Sequence, residues 1–99
     1  MYAGVMQFTI QPGQIDNAIK AWNEEMVPPF TKLPGWKGAY MLTDQATGRV
    51  ISIGLYETRE YAVGAADVGL IAESFAKLRP YLSDEPVRSM FEVTGHFPG

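Results

Sequence analysis

The chain has 99 residues, which suits one domain spanning 1–99 and is too short for two. Eight Lys and Arg against eleven Asp and Glu leave a net charge of −3, which argues against nucleic-acid or anionic-membrane partners, since both reward a basic surface. No Cys and a single His exclude disulfides, thiolate metal sites, Fe–S clusters and cysteine nucleophiles, so neither a metal nor a cofactor is expected. No basic stretch followed by an apolar core reads as a targeting signal, and no apolar run nears the roughly 20 residues that span a bilayer. The cytoplasm is the expected location.

Tyr2–Ile10 reads as a strand, with Met6, Phe8 and Ile10 on one face and Val5, Gln7 and Thr9 on the other. Pro12-Gly13 breaks it. From Gln14 to Val27 the spacing of Ile15, Ala18, Ile19, Trp22 and Met26 predicts a helix, which Pro28-Pro29 ends or kinks. After the Leu33-Pro34-Gly35 turn, Trp36–Leu42 is a second strand. Asp44–Gly48 has the composition of a hairpin loop, and Arg49–Glu57 is the third strand. Thr58 can cap a second helical region, broken near Gly64 and resumed at Asp67, in which Val68, Ile71, Phe75 and Leu78 recur at helical spacing. Arg79-Pro80 closes that region, and Val87–Phe97 is the last strand.

The order β-α-β-β-α-β predicts an α+β, ferredoxin-like fold: a four-stranded antiparallel sheet with both helices on one face. Each strand also carries apolar residues at the other parity. A lone sheet would leave that second face wet, so a homodimer joined through the sheet faces is expected.

If the helix side holds a pocket, the residues expected to line it are Gln7, Trp36, Tyr40, Ser52 and Tyr56. The aromatic bodies supply area and the hydroxyls and amide supply orientation, as small-molecule sites require. Gln7 and Ser52 share a face only if their strand registers align. Trp22 falls on the apolar helical stripe, where core packing is its expected role. His96 is the only histidine and therefore the one candidate for proton transfer near neutral pH. Its position three residues from the end also fits a solvent-facing side chain. Gly35–Gly38 lacks phosphate-loop spacing, and Ser52 and Ser89 have no partners spaced for a hydrolase triad. The third strand lacks the aromatic pair of an RNA-recognition sheet.

Several segments resemble the antibiotic biosynthesis monooxygenase-like domains of the dimeric α+β barrel superfamily. They are Ile10-Gln11-Pro12-Gly13, Glu25-Met26-Val27-Pro28, the turn Leu33–Gly38 and the hairpin Thr43–Arg49 feeding Ser52–Thr58. The resemblance implies a homodimeric α+β barrel formed by two sheets, with a cavity between sheet and helices in each subunit. It also implies a function in the range that includes cofactor-independent oxygenation of polycyclic phenols and haem degradation. The haem-degrading pattern of a first-strand Asn and a His and Trp in or near the second helical region is not met, because Gln7 stands in the strand and Glu60–Leu78 has neither His nor Trp. The Asn and Trp of the phenol-oxidising pattern are also missing from that region. The expected function is thus a cofactor-independent, monooxygenase-like protein for a small aromatic or polyketide-like molecule, and the alternative is a non-catalytic binding or accessory domain.

Overall fold

The computed structural model describes residues 1–98. Its regular elements are β1 (Tyr2–Thr9), α1 (Ile15–Ala21), β2 (Trp36–Thr43), β3 (Arg49–Tyr56), α2 (Arg59–Asp67), α3 (Leu70–Phe75) and β4 (Val87–Glu92). The four strands form one antiparallel sheet in the order β2-β3-β1-β4. This is the ferredoxin-like plan predicted from the hydrophobic periods.

The barrel implied by the resemblance is corrected by this topology. Among the described residues β2 and β4 are free edges that do not pair with each other, so the sheet is open. Closure takes roughly five to eight strands even in small barrels, more than the four available here.

Several boundaries also differ from expectation. The first helix keeps α geometry only to Ala21; a π-helical turn follows at Trp22–Met26, in which the Val27 N–H donates to the Trp22 carbonyl at 3.0 Å. A 3₁₀ turn then carries Pro28–Lys32, since prolines lack the N–H that would continue the α pattern. The second helical region breaks at Val68-Gly69 rather than near Gly64. The Thr58 hydroxyl caps α2 by accepting from the Tyr61 N–H, as its side chain predicts. β4 ends at Glu92, five residues before the expected Phe97.

Register fixes which side chains face the helices. Met6 pairs with Ser52 and Arg88, and Gly4 with Gly54 and Met90, placing these positions on the helix side. The core lies there: Phe8, Ile10, Val50, Ala18, Ala21, Trp22, Phe75 and Leu78 form one buried cluster. Phe8 and Phe75 meet edge to face with centroids 5.7 Å apart. Tyr56 forms a second, smaller cluster with Ala62 and Ala65 of α2.

The opposite sheet face carries no helix. Gln7 pairs there with Ile51 and Val87, and Leu42 with Ile51, while Tyr40 pairs with Ile53 and Phe91 with Ala3. Tyr40, Leu42, Val87 and Phe91 are each at least half exposed.

Candidate functional site

A cavity lies between the sheet and the helical layer. Its floor is made by Gly4 and Met6 of β1, Ser52 and Gly54 of β3, and Ala39 of β2. The π-helical turn contributes Trp22 and Met26, the following 3₁₀ turn Phe30, and α3 Ile71 and Phe75. Trp22 and Met26, four residues apart on this turn, are buried together against the sheet. Trp36 and Tyr56 complete one side. The cavity encloses about 50 Å³.

The Tyr56 ring packs over two glycines. Gly4 and Gly54 face each other in register, and a β-carbon on Gly54 would sit 3.5 Å from the Tyr56 ring and 3.6 Å from its hydroxyl oxygen. The ring lies over these two positions at van der Waals distance and reaches the cavity, and Tyr56 is only 3% exposed. Burial pushes the Tyr56 hydroxyl above the ordinary tyrosine value of about 10, and the positive Arg88 beside it partly offsets that shift. Tyr56 is therefore neutral at physiological pH, a hydrogen-bonding group and not a base. Because the folded protein holds this proton more tightly than the unfolded chain, its contribution to stability is complete below about pH 10 and is lost as pH rises through the folded-state value. Melting temperature is expected to fall above pH 10, and Tyr56→Phe is expected to flatten that fall.

The Trp22 indole N–H donates to Ser52 Oγ at 3.0 Å, both groups being buried. This bond satisfies the indole and fixes the tryptophan face along the cavity. Ser52→Ala leaves a buried donor without an acceptor, so a loss of about 1–3 kcal/mol is expected in chemical denaturation. Ser52→Thr, which keeps the hydroxyl, should lose less.

Trp36, Ser52 and Tyr56 thus line the helix-side cavity. Gln7 and Tyr40 do not: the pairings of Gln7 with Ile51 and of Met6 with Ser52 put Gln7 and Ser52 on opposite faces. Tyr40 is 60% exposed on the helix-free face. A β-bulge between Trp36 and Gly38 separates Trp36 from Tyr40, which a regular strand would place on one face. Gly38, at φ 136°, occupies a conformation open mainly to glycine. His96 is exposed in the segment after β4 and does not line the cavity.

Sequence reasoning missed Trp22, Met6, Met26 and Arg88 as site residues. The signal for Arg88 was its parity: it shares a face with Met90, where a core-facing residue is expected. No Asp, Glu or His among the described residues lines the cavity. Among the described residues no three or more His, Cys, Asp or Glu gather into a group that could hold a metal ion, and no helix is long and apolar enough to cross a membrane.

No protein-family model matches the chain, and no curated protein matches it by sequence. Solved structures do share its fold. SnoaB, a cofactor-independent oxygenase from Streptomyces nogalater solved as a single-residue mutant, aligns with a TM-score of 0.80 at 13% identity, covering 99% of this chain and 97% of that one. The ActVA-Orf6 monooxygenase of Streptomyces coelicolor, in complex with nanaomycin D, aligns at 0.74 and 16% identity over 96% and 88% of the two chains. A further antibiotic biosynthesis monooxygenase aligns at 0.72 and 14% over 96% and 100%. At these identities the likeness is one of fold.

Proposed function

We propose that the helix-side cavity binds a small aromatic, phenol- or polyketide-like molecule, and that this molecule is oxidised by O₂ without a cofactor. The observation that carries the reading is the wall itself. Trp22, Phe30, Trp36, Tyr56 and Phe75 give it aromatic area, with the neutral hydroxyls of Tyr56 and Ser52 among few polar groups. The shared fold with one cofactor-independent oxygenase and one nanaomycin-bound monooxygenase supports the chemistry.

About 50 Å³ is below the roughly 150 Å³ in which an apolar cavity takes up benzene. Met6 and Met26 therefore turn aside when a ring enters, which unbranched thioethers do at small cost. A ligand that has already lost its phenolic proton to solvent before entering then reduces O₂ directly as the electron-rich phenolate. A ring methylene becomes a carbonyl, one oxygen atom enters the product and the other leaves as water. The protein supplies an apolar enclosure and a neutral hydrogen bond from Tyr56 to the ring oxygen. A second reading, binding without turnover, is favoured because no carboxylate or imidazole among the described residues stands in the wall to accept the proton.

A hydroxylated anthrone separates the readings. Accelerated uptake of one O₂ per anthrone supports the oxygenase, and saturable quenching of tryptophan fluorescence with O₂ uptake at the uncatalysed rate supports the binder. Absence of both overturns the site.

We also propose that the helix-free sheet face is covered by a second copy of this chain. Leu42, Val87, Phe91 and Tyr40, with Ile51, Ile53 and Val5 between them, form one apolar surface over all four strands. A two-fold pairing buries this patch against itself and leaves the helix-side cavity of each subunit accessible.

A further inference from the structure

Beside the cavity lies an open cleft of about 320 Å³ between the α2–α3 region and β4. The two spaces have four wall residues in common: Met6, Ile71, Phe75 and Arg88. Met6 is one of these shared wall residues, and its unbranched thioether turns aside at small cost. Alone, the cavity is well under the roughly 300–1,000 Å³ typical of small-molecule sites; joined to the cleft it falls in that range.

The charges of the cleft are unequal in availability. Arg79 is held by Glu85 at 3.3 Å, the only ion pair among the described residues. Arg88 has no carboxylate partner among them. It extends from the edge strand β4, opposite Met6, and is close enough to the Tyr56 hydroxyl to perturb its proton. A planar guanidinium at the junction of an aromatic cavity and a solvent-open cleft fits a carboxylate through two parallel hydrogen bonds.

We infer that the ligand has two parts: an aromatic ring in the inner cavity and an acidic arm that leaves through the cleft, its carboxylate paired with Arg88. This rests on the aromatic-site reading above and adds the substrate class, an aromatic carboxylic acid in place of a neutral ring. Arg88 is then a specificity-determining residue, and no covalent step depends on it.

Calorimetry with 1-naphthaleneacetic acid and the nearly isosteric 1-naphthaleneacetamide tests it. The acid is expected to bind at least ten-fold more tightly than the amide. Arg88→Gln should reduce that preference to less than two-fold, by weakening the acid far more than the amide. Arg49→Gln, on the opposite sheet face, should preserve the preference. Equal affinities in the wild-type protein, or a preference that survives Arg88→Gln, overturn the acidic arm and leave the ring site standing. Failure of both compounds to bind at millimolar concentration overturns the arm and the ring site together.

Discussion

Replacing Gly48 by alanine is expected to destabilise the fold strongly, through backbone conformation and backbone overlap together. Gly48 ends the β2–β3 hairpin at φ 76°, a left-handed conformation that costs an alanine about 1–2 kcal/mol. The added β-carbon would also lie 2.6 Å from the Ile10 carbonyl oxygen. That neighbour is backbone and cannot rotate away. It is pinned further by the Ile10 N–H, which donates to the Gly48 carbonyl at 2.8 Å, and by the burial of Ile10 in the core. Relieving the overlap therefore shifts two segments at once, adding about 1–3 kcal/mol as overpacking does elsewhere. Urea denaturation should show the combined loss, and Gly13→Ala is the control. Gly13 is also left-handed, at φ 80°, but its β-carbon would meet nothing within 4 Å, so only the conformational part is lost.

The second large effect concerns the sheet face. Wild-type protein is expected to sediment as a dimer of about 22 kDa, twice the 10.9 kDa chain. Leu42→Asp should shift it to the monomer mass at micromolar concentration. Full burial of a leucine side chain stabilises by about 1.5–3 kcal/mol, and half of Leu42 is already covered within one chain, so each copy loses about 1 kcal/mol. The two-fold axis doubles this loss, and placing a carboxylate on each side adds a desolvation cost of its own. The expected weakening is at least about 100-fold. Phe91→Asp on the other edge strand should act in the same direction. A wild-type protein that sediments as a monomer contradicts the dimer.

The layers and their order were legible because the strand alternation and the helical stripes are strong, periodic signals. The Thr58 cap was legible for a local reason, a hydroxyl preceding a helical run. Faces of individual side chains were less so. Gln7 and Ser52 lie on different strands, and only the register between β1 and β3 decides whether they meet. Trp36 and Tyr40 share parity in the sequence, yet the extra residue of one bulge puts them on opposite faces. Trp22 read as core and is core, but it also walls the cavity, a role that helical periodicity does not reveal. The open sheet shows a limit of resemblance: local turn and strand motifs carry the ferredoxin-like plan and do not specify closure.

The central claim is that an aromatic ring enters the space between sheet and helices. Methyl-selective NMR tests it most directly, with ¹³C-labelled methionine and isoleucine and 1-naphthaleneacetic acid as titrant. Met6, Met26 and Ile71 line the cavity, whereas Ile51 lines a groove on the helix-free face. Saturable ring-current shifts are expected at Met6, Met26 and Ile71, with Ile51 unmoved. Shifts centred on Ile51, with Met6 and Met26 unchanged, would contradict it.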